Sequence, residues 1–581
     1  MSTNSDRSPA DASVLIHNAK IYCFDEDDST ADSILIQAGR VAAIGRHSDL
    51  ISLTDGATET LDLRGATVLP GLIDTHPHLL HFAARQAPLV DISDAISHDE
   101  IVRRIAARAQ TTAAGDWIMT TPVGEAWYFI RRSYKDLSEG ELPTRQTLDR
   151  ATNQHPVVIM AWEPNIPNTV AFNSMALSRL GVTRELPGRV SGVIIEKDER
   201  GEPTGRLHGA VNSVFSNDEF AYELWRKVPV SNFDLVLPAT RRAIATHHRL
   251  GVTAIYENHF MQRRQIDVYR RLRNAGELPM RVMAAQEADF LGSAWAQPRE
   301  DDDFIRALEA AANSVEQTDD HFRVNGVSVM WDGGVYPGQM MMRDAYFGPN
   351  GEETRGWFMM DPKKIEIVKR FCAERRIRLN TLCVGTQAHE ENLAMLERLA
   401  QTHDIRPLRW ILVHSPFIEA EQVKRYRALN FNVTTTMTYL FGMGDLFRKR
   451  LKPELRDALM KDLLPLRRYL DAGMTVTGGA DWGPKSVFEH IQLSLTHTTP
   501  SGYCNLGPAQ AITRTEAVSM WTRDAARLLQ WNDIGSLKPG HHADLIVIDR
   551  DPLNCTLDEL GGIHVLRTIF AGRTVYDVGV L

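Results

Sequence analysis

At 581 residues the chain is too long for one ordinary domain, although a barrel with an accessory domain fits that length. Its 43% hydrophobic and 24% charged content is that of a soluble globular protein. A net charge of −9 without long single-sign runs excludes a general nucleic-acid binder, whose footprint is a basic patch.

The N-terminus, MSTNSDRSPADAS, has no apolar core. It is expected to be a frayed tail over residues 1–12 and neither a signal peptide nor a membrane span. Five widely spaced cysteines (Cys23, Cys372, Cys383, Cys504, Cys555) include no CxxC pair, which points to reduced thiols and a cytoplasmic location. Residues 13–67 read as short strands: apolar runs at 14–16 and 34–37, then Ala38-Gly39-Arg40 as a hairpin turn before 41–44. The other end repeats the pattern, with strands near 543–548 and 564–570 and Ala571-Gly572-Arg573 before 574–576. The economical expectation is one small β-sandwich built from 13–67 and 535–581, with two independent terminal hairpins as the alternative.

The stretch VLPGLIDTHPHLL (68–80) follows. Its apolar run reads as a strand covered on both faces. His76 and His78 lie two apart, and on an extended chain both imidazoles would point to one side and reach one metal ion. Seven further apolar strands are predicted near 251–257, 280–287, 323–332, 376–384, 409–414, 431–437 and 474–481, separated by amphipathic stretches. Alternating β and α with eight strands predicts an α/β fold, a (β/α)₈ TIM barrel over 68–534. A long excursion at about 85–240, with a strand near 156–161 and a hairpin around 192–205, is expected to lie over the catalytic face as a lid or substrate subdomain. Trp127, Tyr128, Phe129 and Glu163 in it are candidate pocket residues, although packing is the plainer reading for each.

In a barrel, chemistry gathers at the C-terminal strand ends. Those ends carry His76, His78, Glu257, His259, Glu287, Asp332, Thr386, His414 and Asp481, and no lysine. Acidic and imidazole groups at so many ends point to a metal hydrolase rather than Schiff-base chemistry. Asp481, in GGADW, can bind a metal and accept a proton from water, or merely cap a helix. His414 follows a clean apolar strand and taken alone reads equally as a core histidine. The chain has no GxGxxG, P-loop or GxSxG, and HEENL lacks the second histidine of HExxH.

The segments VLPGLIDTHPHLL, ELPTRQTLD, AFNSMAL, GADWGP and GSLKPGHHADLIVIDRDPL resemble the amidohydrolase superfamily, nearest its family 3 branch, which includes N-substituted formamide deformylases. The likeness covers roughly 13–580. It implies a barrel with a terminal β-sandwich and hydrolysis of C–N bonds by metal-activated water. By that resemblance His76, His78, His414 and Asp481 are metal ligands, and Asp481 also accepts the proton. Two positions depart from the family pattern. Ser328 stands where the bridging lysine, often carboxylated, is usual, and Leu382 replaces the fifth-strand histidine. Neither replacement can bridge or hold a metal in the usual way, so one divalent ion, zinc by its N/O ligands, is expected rather than two. His259, Glu257 and Cys383 are the compensating candidates, although Cys383 points away if Leu382 faces inward.

Three readings stay open: a mononuclear amidohydrolase, a non-hydrolytic metalloenzyme (lyase, decarboxylase, hydratase or isomerase), and a metal-poor binding barrel. For substrate contacts the candidates are Glu257, His259, Trp331, Asp332 and Trp482. Together with the loop Val335–Gln339 and Met340–Met342 they favour an apolar or aromatic small molecule. Neither nucleic acid nor membrane is an expected partner, and association into a homo-oligomer is left open.

Overall fold

The computed structural model describes residues 13–124, 132–161, 166–216, 218–289 and 299–580. Trp127, Tyr128, Phe129 and Glu163 lie outside the described residues. The central sheet has eight strands: β1 (Leu72–Asp74), β2 (Val252–Glu257), β3 (Arg281–Glu287), β4 (Phe322–Met330), β5 (Arg378–Cys383), β6 (Ile411–His414), β7 (Asn432–Thr435) and β8 (Val476–Gly478). Neighbours in chain order pair in parallel. Strands such as β2 and β3 are buried along their whole length, because helices cover the outside and side chains fill the inside. The N–H of Thr75 donates to Gly478 O (3.2 Å), bringing β8 back against β1. This is the barrel that the eight apolar runs predict.

The first run corrects one expectation. Residues 68–75 are not a single strand, because the chain changes sheets at Gly71. Thr67–Pro70 pairs antiparallel with Leu545–Ile548 and parallel with Lys20–Tyr22, so it belongs with the chain termini. A Cβ at Gly71 would lie 2.2 Å from Thr253 Oγ1, so only glycine lets the backbone cross from that sheet into the barrel. The terminal strands therefore run to Pro70, past the expected boundary at 67.

The termini form a four-stranded sheet (Arg40–Gly45, Ser33–Gln37, Ser13–His17, Glu59–Asp62) and a six-stranded one built from both chain ends. Ile16, Ile34, Ile36, Val68, Leu545 and Val547 share one core between them. Ala543 ties the two Ala-Gly-Arg turns together: its N–H donates to Gly39 O (2.9 Å) and its carbonyl accepts from Gly572 N (3.0 Å).

The excursion after β1 has a six-stranded sheet of its own, including the hairpin of Val193–Lys197 and Pro203–Gly209, and two hydrophobic cores. It is fastened to the barrel top by the buried Arg450. That guanidinium donates to Tyr336 O (2.6 Å) and Val335 O after β4, and to Ile166 O (3.0 Å) in the excursion. Among the described residues no helix is long and apolar enough to cross a membrane.

Barrel and terminal sheets are joined by a buried ion pair, Arg281 Nε to Asp544 Oδ2 at 2.6 Å, with a second contact at 3.1 Å. Asp544 Oδ1 also accepts the Ala571 N–H at 2.8 Å. Asp544→Ala strands a fully buried guanidinium, and a loss of about 3–5 kcal/mol is expected, read as a lowered urea midpoint. A change under about 1 kcal/mol would mean that water reaches Arg281.

Candidate metal centre

β1 ends at Asp74, whose Oδ1 accepts the N–H of His76 (2.9 Å) and of Ala480 beyond β8 (3.1 Å). The Asp481 N–H then donates to His76 O at 2.7 Å. This approach requires Gly479, where a Cβ would sit 2.3 Å from His76 Cβ. His78, His414 and Asp481 all have left-handed backbones, with φ of 49°, 70° and 50°. Non-glycine residues held there cost on the order of 1–3 kcal/mol each and persist only where the surroundings over-determine them. His76 and His78 therefore do not converge by alternation along an extended strand, since β1 has already ended; a strained turn aims them.

The result is a tight cluster. His76 Nε2 lies 2.8 Å from His259 Nε2 and 3.2 Å from His78 Nε2. Asp481 Oδ1 lies 3.2 Å from His78 Nε2 and 3.6 Å from His76 Nε2. His414 stacks on His76 with ring centroids 4.7 Å apart, and its ligand atom falls within 4.8 Å of those of His76 and Asp481. Burial first, then neighbouring imidazoles, hold His76, His78 and His259 well below the usual histidine range. Burial pushes His414 down to about 3. All four are therefore neutral at pH 7 and offer lone pairs. Converging lone pairs repel one another unless a proton or cation lies among them. A tetrahedral site with bonds of about 2.0–2.1 Å has edges of about 3.3 Å. The observed separations bracket that value, and three imidazoles with one carboxylate are a zinc-type donor set.

Lys485 sits beside the cluster. Its Nζ donates to Pro77 O (2.8 Å) and to Asp481 O, clamping the loops that carry His78 and Asp481. Burial raises the Asp481 carboxyl, and the ammonium of Lys485 opposes that rise. The chamber at the cluster is small, about 20 Å³, with Phe215, Tyr336, Leu382, Tyr439 and Trp482 among its walls.

A family model described as the amidohydrolase family matches residues 59–576. The chain belongs to the amidohydrolase family. It is a hydrolase of that family, with histidine and aspartate groups at the barrel strand ends that could hold a metal ion. An N-substituted formamide deformylase of Arthrobacter pascens is 25% identical over 97% of this chain and 98% of its own length. The putative amidohydrolase YtcJ of Bacillus subtilis (strain 168) is 21% identical over 97% and 99%. Among solved structures, an uncharacterized metal-dependent hydrolase from Pyrococcus horikoshii OT3 superposes with a TM-score of 0.69 at 18% identity. It covers 94% of this chain and 100% of that one, and shows the shared fold.

Against this amidohydrolase frame the sequence candidates separate. His76, His78, His414 and Asp481 come together. His259, a candidate both for substrate contact and for replacing a missing ligand, joins the imidazole cluster. Glu257 Oε1 accepts from Tyr269 (2.7 Å) and the Leu80 N–H (3.1 Å), its other oxygen has no hydrogen-bond partner, it groups with His78 and His81 within 4.8 Å, and burial pushes it up to about 7. Asp332 is a loop clamp, accepting the N–H groups of Met341, Val384 and Gly385 at 2.8–3.0 Å. Trp331 is also misplaced by the sequence: it is buried outside the chamber, with Lys369 Nζ 4.6 Å over its ring. Met340–Met342 are packed in the core, and Tyr336 is the residue of that loop that reaches the chamber. Trp482 does line the chamber, with Leu382 in its wall, while Cys383 does not. Ser328 donates to Glu287 Oε2 (2.8 Å) and so is occupied elsewhere.

Sequence reasoning missed Lys485, Phe215 and Tyr439. Nothing local marks them, whereas Glu257-Asn258-His259 after a buried strand was a readable cue for His259.

Protein purified without added metal is expected to carry about one divalent ion per chain by elemental analysis. His76→Ala and His259→Ala should lower metal affinity by more than the roughly 10–100-fold typical of an outer partner, whereas His81→Gln should leave it nearly unchanged. Full metal in His259→Ala would remove that residue from the ligand set.

Proposed function

We propose that this amidohydrolase-family hydrolase cleaves an amide-like C–N bond of a small apolar or aromatic molecule at a site holding one divalent ion, zinc by preference. The observation that carries this reading is the convergence of three imidazole Nε2 atoms and the Asp481 carboxylate at 2.8–3.6 Å. The single ion is supported by Leu382 and Ser328, since the first has no donor atom and the second is bonded to Glu287. The C–N bond is supported by the deformylase relative. The apolar substrate is supported by the aromatic and aliphatic chamber walls.

His76, His78, Asp481 and either His259 or His414, whose ligand atom lies within 4.8 Å of those of His76 and Asp481, would hold the ion. When bound, a divalent ion there polarises a carbonyl oxygen and acidifies water near neutral pH. Asp481 is placed to take a proton and return it to the leaving nitrogen, because its Oδ1 faces the imidazoles and burial makes its carboxylate more basic. Lys485 keeps the two ligand loops in register by holding Pro77 O and Asp481 O. Phe215, Tyr439 and Trp482 exclude bulk water, which strengthens every electrostatic contact inside the chamber. Burial and the nearby Asp481 keep the Tyr439 phenol protonated, so its hydroxyl remains a donor.

A panel of secondary aryl and alkyl amides in ¹⁸O-enriched water tests the reaction. One solvent oxygen is expected in the acid product. Asp481→Asn should lower kcat by about 10²–10⁴-fold, and a chelator should abolish turnover until metal is restored. Turnover of a substrate without solvent oxygen in any product would replace hydrolysis with elimination or isomerisation on the same site.

A further inference from the structure

The chamber at the imidazole cluster, about 20 Å³, holds little more than a water molecule or one carbonyl group. A substrate body cannot sit there. Directly beside it lies a cavity of about 390 Å³, in the range of small-molecule pockets. Its walls combine aliphatic side chains, among them Leu80 and Ala84 from the helix Leu79–Gln86, Val214 and Val236 from the end of the excursion and Val268 from the helix Arg263–Asn274, with the polar Arg85, Gln262, Arg264 and Gln265.

The two spaces share one thin partition. Val214 lines the cavity and Phe215 the chamber; His259 lines the chamber and Phe260 the cavity. The rings of Phe215 and Phe260 touch at 5.5 Å between centroids, and both residues have left-handed backbones, φ 52° and 63°. His81 completes the cavity wall, its ring 5.3 Å from that of His78 and 5.2 Å from that of Phe260. His81 is 5% exposed. Its Nε2 lies 2.8 Å from Phe260 O, and a carbonyl only accepts, so Nε2 carries the proton. That leaves Nδ1 as a bare acceptor, buried and without a protein hydrogen-bond partner.

We propose that this cavity is the recognition pocket for the substrate's apolar body, a substituted ring or branched alkyl group. The reacting group then reaches the metal chamber past Phe215 and Phe260. A cavity of about 150 Å³ holds benzene, so this one takes a ring with substituents. The proposal rests on the amide-hydrolysis reading for what happens in the chamber, but the binding itself does not.

The test uses the full-length, metal-loaded protein and 4-azidoacetanilide, a secondary aryl amide that crosslinks on irradiation. Peptide mapping is expected to find the label within 79–86, 228–236 or 260–268, with acetanilide protecting. Labelling only elsewhere, or none, overturns the pocket. In titrations, Ala84→Leu and Val268→Trp, which fill the cavity from opposite walls, should each weaken acetanilide binding at least tenfold with metal content unchanged. Unchanged affinity in both filling variants overturns the proposal even if the protein hydrolyses amides. Cavity labelling with no amide turnover supports the pocket and discards the hydrolytic reading instead.

Discussion

The carboxylate of Asp74 accepts backbone N–H groups from both edges of the barrel, His76 after β1 and Ala480 after β8, and the candidate centre depends on that bridge. A barrel of eight short strands has one seam where the last must find the first. Here the seam is made of single residues: Thr75 N to Gly478 O, Asp481 N to His76 O, and Gly479 flat against His76. Hydrogen bonds to a charged acceptor are worth about 1.5–3 kcal/mol each. They offset part of the cost of holding His78, His414 and Asp481 in left-handed conformations. Burial raises the Asp74 carboxyl, and the nearby ammonium of Lys485 opposes that, so one lysine serves both the seam and the ligand loops.

Below the imidazoles the barrel interior is polar rather than aliphatic. Thr75 Oγ1 lies 2.7 Å from Thr434 Oγ1 and 2.9 Å from Thr477 Oγ1. Asn258 donates to Thr75 O, and Asn380 to the Tyr256 hydroxyl and to Asn258 O. Buried polar groups of this kind must be bonded, so the layer ties five of the eight strands, or the residue just beyond them, into one floor. Helices cover the outside of the strands with apolar packing.

The excursion after β1 adds what the barrel lacks. Its own cores let it fold as a separate layer. Arg450 fastens it to the β4 loop, and its last turn delivers Val214 and Phe215 to opposite sides of the wall beside the metal chamber. The clustered imidazoles and carboxylate thus come from the barrel, whereas the shape of the space around them is set in part by the insertion. That division lets one scaffold keep its metal chemistry while the accepted molecules change.

By itself the sequence determined the eight barrel strands, because a strand buried on both faces is an apolar run that can be read locally. It likewise marked the histidines and aspartates at the strand ends, because His76, His78, His414 and Asp481 each follow such a run directly. The family likeness rests on the same contiguous segments. Only the tertiary structure decided the rest. His259 meets His76 from 183 residues away, a pairing that its position after a buried strand suggests but does not fix. Trp331 and Asp332 sit at a strand end yet serve packing and loop clamping, because side-chain direction depends on where the strand stops. The change of sheets at Gly71 depends on Thr253, the role of Lys485 on two carbonyls from opposite ends of the barrel, and the side cavity on three segments meeting. Local patterns encode which residues are buried; left-handed turns and distant contacts encode which of them meet.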